Sequence, residues 1–311
     1  MLPAFTRESR FDQKTPFTPE NGVLLYNSAM LSLAPLEPID YLIIGHLTRD
    51  LTPQGPQLGG SAAFAGLTAH ALGLRVGVVT SWGAEMPLGP MRQIPVVSYP
   101  ADQSTTFENI YTKTGRVQIL HNVAPSLDYF MVPDPWRSAP IVHLGPVAQE
   151  VEPGLVRRFP NALLCLTPQG WLRAWDEQGH VSASEWPEAP FMLGQADATV
   201  ISVEDVSNDE DRIEEMAASS RILAVTEAYE GARVYWNGDV RRFRPAAIQE
   251  VDATGAGDVF AAAFFARLYT TRDPWEAGRF ATAMSAISVT RYRLESIPST
   301  AEIHDCMLEV F

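Results

Sequence analysis

Val251-Asp252-Ala253-Thr254-Gly255-Ala256-Gly257-Asp258-Val259-Phe260, continuing through Ala261-Ala262-Ala263-Phe264-Phe265-Ala266-Arg267-Leu268, is the stretch on which the reading of this chain turns. Two glycines and an alanine stand directly before an acid, and an Ala-rich apolar segment of helical length follows, so a glycine loop should open a helix here. Val259 to Ala266 is apolar on every side, the mark of a buried helix. The N-terminus of such a helix directs unpaired backbone N–H groups and a positive dipole end at one point, and small residues let an anion come close. That is a site for phosphate. Asp258 would repel a resting anion, but it suits a hydroxyl whose proton it takes up during attack, while the amides neutralise charge on the transferred phosphoryl group. On these residues alone, a helix N-cap behind a glycine turn is the plainer account of Asp258.

The run resembles the signature D-[TP]-x-G-A-G-D, or a close variant, of the ribokinase-like (PfkB) carbohydrate kinases, with Asp252, Thr254, Gly255, Ala256, Gly257 and Asp258 on the pattern. The resemblance implies an α/β fold, a ribokinase-like three-layer sandwich with a mostly parallel central sheet and a small β lid. It implies Asp258 as base, the amides of Gly255, Ala256, Gly257 and Asp258 as anion hole, and Thr254 on the nucleotide side. ATP and Mg²⁺ are the implied cofactors, with a monovalent cation such as K⁺ at Asp252 and a homodimer formed through the lid.

With 311 residues and 46% hydrophobic content the chain can bury a large core. Cys165 and Cys306 have no disulfide framework or metal-ligand spacing around them, which points to a reducing cytoplasm. No stretch approaches the ~18 apolar residues of a membrane span, and no apolar signal core stands at the start. A soluble, cytoplasmic protein is expected. A net charge of −14, with Lys14 and Lys113 as the lysines, argues against a nucleic-acid partner.

Residues 1–38 are Pro-rich and weakly periodic and read as an N-terminal extension, with one short apolar run at Val23-Leu24-Leu25-Tyr26. Residues 39–311 read as the kinase domain, with lid segments near 47–58 and 104–122. Tyr41-Leu42-Ile43-Ile44-Gly45 is continuously apolar, as a buried parallel strand would be. Asp50 and then Gly59-Gly60-Ser61 follow, ahead of a helix stopped by Gly73. In the resembling family an acid after the first strand and a Gly-Gly pair hold sugar hydroxyls, and Asp50, Gly59 and Gly60 match. Taken singly, Asp50 is better explained as a solvated loop acid and the glycines as an ordinary turn; the spacing from the first strand and the downstream signature favour the site. Many sugar kinases carry Asn where Phe64 stands, so a hydrogen bond to the substrate is either missing or replaced by ring stacking. Ser61 lacks the closing glycine of a nucleophile elbow.

Thr105–Tyr111 and Arg116–His121 alternate around Lys113-Thr114-Gly115, a hairpin signal. From such a lid Glu108 and Asn109 could reach substrate, although polar residues facing outward from an exposed hairpin are the plainer account. A helix is expected from about 149 to 158, and Trp171, Trp175 and Trp186 read as surface anchors in a loop without chemistry. After the strand Thr199–Ser202 the family carries N-x-x-E, which organises magnesium; Ser202 and Asp205 stand there, so Asp205 or Glu204 could hold a hydrated Mg²⁺, and a solvated acid at a helix start accounts for either nearly as well. Thr226-Glu227-Ala228-Tyr229-Glu230-Gly231 takes the place of the family's T-x-G-x-x-G nucleotide loop, with Thr226 and Gly231 matching and Ala228 replacing the first glycine. Neither lysine follows a glycine, and no G-x-G-x-x-G follows a strand, which removes the P-loop and Rossmann readings.

The expected activity is ATP-dependent phosphorylation of a hydroxyl on a small sugar or polyol: a ketose, a cyclitol such as inositol, or a nucleoside. The alternative is a catalytically inactive sugar- or nucleotide-binding protein on the same fold, suggested by Ser202 and Ala228.

Overall fold

The computed structural model describes residues 23–25, 36–112 and 115–308. The remainder of the amino-terminal extension and the turn residues Lys113 and Thr114 lie outside them. Tyr41–Ile44 is apolar throughout because both faces of its strand are covered. Tyr41 and Ile43 enter one hydrophobic core, Leu42 and Ile44 the other, following the two-residue period of a strand.

The same alternation recurs across a ten-stranded sheet. Its order is Val23–Leu25, Val96–Pro100, Val76–Trp82, Tyr41–Ile44, Ile141–Leu144, Leu163–Leu166, Ala198–Ser202, Ile222–Thr226, Ala232–Trp236 and Asp239–Phe243. Every pairing as far as Ile222–Thr226 is parallel, and the final hairpin is antiparallel. Part of the Pro-rich extension thus supplies an edge strand, Val23–Leu25, in register with Val96–Ser98.

One face of the sheet carries the helices α1 (Ser61–Ala71), α4 (Ala256–Thr271), α5 (Pro274–Ser288) and α6 (Thr300–Leu308); the other carries the shorter α2 (Ala189–Gln195) and α3 (Glu210–Ser219). Helix α4 is buried from Val259 to Ala266, as its all-round apolar sequence requires, and Phe260 stacks on Phe264 at 5.9 Å between ring centres. Helix α5 is opened by Asp273, whose carboxylate accepts from the Trp275 and Glu276 amides, with Pro274 at its first position.

A second, four-stranded sheet forms the lid, in the order Gly55–Gly59, Thr48–Thr52, Thr106–Thr112, Gly115–Asn122. Its outer edge is covered: the Leu120 amide bonds the Gly179 carbonyl, and Ile119 bridges His180. The covering segment is a hairpin, Arg173–Trp175 with Val181–Ala183, where the sequence reads as a loop. Trp171 and Trp186 are also not surface anchors. They are 7% and 6% exposed, stack at 5.5 Å, and Trp171 donates to the Val151 carbonyl. The helix expected near 149–158 is only a short 3₁₀ turn, Pro153–Arg157, because Pro153 lacks an N–H to continue a ladder and Gly154 is a poor helix former.

Candidate active site

Parallel strands deliver their chemistry at their carboxyl ends. Ile44 and Leu144 end neighbouring strands there, and the lid strand Thr48–Thr52 rises from that edge with Asp50 buried on it. Thr48 Oγ1 donates to Asp50 Oδ1 at 2.7 Å, and Arg293 Nη2 donates to Oδ2 at 2.6 Å. Gly59 lies on the adjacent lid strand, and a Cβ there would overlap the Asp50 carboxylate. Glycine is required at this position by close approach, and Asp50 thereby lies directly against the backbone at Gly59-Gly60.

Asp258 arrives from the opposite side, in the first turn of α4. Gly255 caps that helix at φ 81°, a left-handed angle that costs a residue with Cβ. The Ala256 amide bonds the Ala253 carbonyl, while the amides of Gly257 and Asp258 have no backbone partner among the described residues. As a residue Asp258 is half-buried, but its carboxyl group is enclosed, and this desolvation pushes its pKa up to about 6. The Ser61 hydroxyl donates to it and opposes the rise, the charge of Asp205 adds to it, the Arg173 guanidinium opposes it, and the charge of Asp50 adds again. The structure therefore brings Asp50, Gly59, Gly60, Gly255, Ala256, Gly257 and Asp258 into one neighbourhood.

Phe64 has a different place from the one expected. Its ring is 2% exposed and lies against Gly255, where a Cβ would overlap it. It floors the glycine loop and keeps no face open for stacking on a substrate. Asn109 is turned along the lid, its Oδ1 accepting from the Gln118 amide at 3.0 Å, and neighbouring Glu108 pairs with His121 at 2.9 Å.

On the metal side, Ser202 and Asp205 form a capping box: Asp205 Oδ2 accepts from the Ser202 amide at 2.9 Å, and Oδ1 accepts from the Gln169 side chain at 3.1 Å. No group of three or more potential ligands occurs among the described residues. A carboxylate with spare lone pairs, near enough to Asp258 to bias it, fits Mg²⁺, which keeps most of its waters and takes other oxygens from a bound phosphate. Asp205 meets that description; Glu204 is exposed. Asp252 is used by the backbone: Oδ1 accepts from Thr254 N at 2.9 Å and Oδ2 from Arg293 N at 3.0 Å.

In the loop expected to meet nucleotide, Thr226 ends its strand with Oγ1 donating to the Ile201 carbonyl at 3.4 Å, and Gly231 holds φ 98°. Ala228 adopts φ 49°, the left-handed angle a glycine would take freely. The loop therefore keeps a glycine-like course at a cost of about 1–2 kcal/mol. Ala228→Gly should remove that strain but gain chain entropy when unfolded, leaving stability within about 1 kcal/mol of wild type. Its expected effect is a severalfold lower KM for the donor; a raised KM would place donor phosphate elsewhere.

Sequence reasoning missed Ser61, Arg173 and Arg293. Ser61 adjoins the Gly-Gly pair at the start of α1, and that adjacency was the available signal. Arg173 starts the hairpin that covers the lid edge, with its guanidinium 6.0 Å from the Phe107 ring centre and 3.4 Å from the Val147 carbonyl. Arg293 lies in the turn after α5. Nothing local marks either arginine, because both are brought near these acids by tertiary folding.

Residues 182–300 match the family model described as pfkB family carbohydrate kinase. A cytidine kinase of Thermococcus kodakarensis is 24% identical over 249 residues, 73% of this chain and 88% of the relative. An inositol 3-kinase of Oryza sativa subsp. japonica is 26% identical over 312 residues, 87% of this chain and 75% of the relative. Among solved structures, a pyrophosphate-dependent kinase in the ribokinase family superposes with a TM-score of 0.70 at 19% identity, over 82% of this chain and 98% of that one. The ribokinase of Arabidopsis thaliana, complexed with ribose and ATP, gives 0.67 at 17% identity, over 88% and 99%. With the parallel sheet, the β lid and the glycine loop in place, the chain has the fold of the ribokinase family, and its residues 182–300 resemble the pfkB family of carbohydrate kinases.

Proposed function

We propose that this chain transfers the terminal phosphoryl group of ATP to a hydroxyl of a small polyol held between Asp50 and Asp258. The observation that carries this reading is Asp258: an enclosed carboxyl in the first turn of α4, with a pKa of about 6, beside helix amides that have no backbone partner. A base poised just below neutral pH is ionised in use yet basic enough to take a hydroxyl proton. The new O–P bond forms as the bond to the leaving ADP oxygen breaks, and the hydroxyl proton passes to Asp258. The amides of Gly257 and Asp258 stabilise charge on the transferred group, and Ser61 holds the carboxylate in place. Mg²⁺, held at Asp205, would screen the donor phosphates.

The names of its relatives support an acceptor among sugars, cyclitols and nucleosides. The test is ADP release from Mg-ATP across pentoses, hexoses, cyclitols, nucleosides and their acidic or phosphorylated derivatives, with pyrophosphate as a second donor. Acceptor-dependent turnover is expected. Saturable binding without turnover by either donor would overturn the reading and favour the non-catalytic alternative.

A further inference from the structure

The acid that would read acceptor hydroxyls is already committed. Asp50 accepts from Thr48 through one oxygen and from Arg293 through the other, and the ion pair is almost dry, its side chains 10% and 11% exposed. Arg293 also donates from Nη2 to the Leu58 carbonyl at 3.3 Å, so it reaches into the base of the lid. Its Nε is buried with no partner, and among the described residues its Nη1 has none either. The backbone that places it is costly: Arg293 sits at φ 47°, with its amide fixed to Asp252 in the anion loop. Such strain persists only where the surroundings over-determine the position.

A guanidinium gives only donors and does not deprotonate. A neutral polyol meeting this pair finds a carboxylate with fewer free lone pairs and a cation whose spare donors want an oxygen. A hydroxyl can supply that oxygen but brings a proton that needs a partner of its own. A carboxylate or phosphate oxygen brings none, and an enclosed site strengthens its bond to the cation. Arg293 also cancels the charge of Asp50, so an acceptor with an anionic group meets less repulsion there. Arg173, whose charge is felt at Asp258, adds a second cation.

We infer that Arg293 is a specificity-determining residue: the acceptor is a polyol bearing an anionic oxygen group, which the guanidinium binds while a hydroxyl faces Asp258. The inference rests on the proposed function for its reacting hydroxyl but not for its binding. The experiment is calorimetric titration, without donor, of wild type, Arg293→Gly and Arg293→Lys with sugar acids such as gluconate and glucuronate, with sugar phosphates such as fructose 6-phosphate, and with fructose, ribose and myo-inositol. Melting curves check each fold, and glycine retains the left-handed backbone.

One anionic class should bind wild type about 10- to 100-fold more tightly than its neutral counterparts, the value of a charged hydrogen bond. Arg293→Gly should abolish that preference and Arg293→Lys restore part of it; the class that binds identifies carboxylate or phosphate as the group read. Neutral polyols binding as tightly as both anionic classes, binding by no class, or an unchanged preference in the variants would overturn the inference. Anionic binding without turnover would sink the kinase reading and leave this one standing. Phosphorylation of neutral polyols alone would do the reverse.

Discussion

Asp258→Asn is expected to lower kcat by about a hundred- to ten-thousand-fold, the usual worth of a positioned general base. Acceptor and donor binding should change little, because the amide keeps the shape of the side chain and the Ser61 hydroxyl can still bond it. Single-turnover rates and equilibrium binding separate the two effects. Wild-type kcat/KM should rise about tenfold per pH unit below 6 and level off above it, following the pKa of the free base. A full rate in Asp258→Asn, or a flat profile between pH 5 and 7, would show that another group takes the proton.

The same substitution should stabilise the protein. The folded pKa of about 6 lies above the ordinary 3.8, so between those values the folded chain binds more protons than the unfolded one. Stability therefore falls as pH rises through that window, and at neutral pH the ionised carboxylate costs on the order of 2–3 kcal/mol. Removing the charge returns that amount, and thermal melting at pH 7 should shift upward by a few degrees. At pH 4 the shift should nearly vanish. This is the trade of stability for activity expected where a charge is held in an enclosed site.

Gly255→Ala carries the second large effect. Alanine at φ 81° pays about 1–2 kcal/mol for the left-handed backbone. Its Cβ would also overlap the ring of Phe64, which is buried in the core. Forcing a core to accept extra volume costs about 1–3 kcal/mol more. A total loss of roughly 2–5 kcal/mol is expected, together with a fall in kcat as the loop moves the Gly257 and Asp258 amides away from the transferred group. Adding Phe64→Leu should recover the steric part and leave the backbone part, a non-additivity that thermal melting can read. Wild-type melting and turnover in Gly255→Ala would mean that the loop does not need its observed course.

Much of this arrangement is legible in the chain. The glycine loop, Asp258 and a helix apolar on every side stand contiguously, and contiguous residues carry their own helix start and burial pattern. Tyr41–Ile44 announces a strand covered on both faces, and Asp50 with Gly59-Gly60 follows at short range. Local pattern misleads where side-chain type and environment part company. The tryptophans between Gln169 and Pro190 look like surface anchors because polar residues surround them, yet Trp171 and Trp186 stack in a core. Phe64 looks like a substrate contact because of its place in a motif, yet its packing partner is Gly255, far along the chain.

By itself the sequence determined the class of fold, the glycine loop that opens α4 and the acid that follows it, because these depend on hydrophobic period and on neighbours within a few residues. Only the tertiary structure decided the electrostatics around that acid. Burial raises the pKa of Asp258, with smaller contributions from Ser61, Asp205 and Arg173, and Arg293 occupies Asp50 from 243 residues away in sequence. Charges act through space, and which of them meet is settled by how the sheet, the lid and the turn after α5 come together.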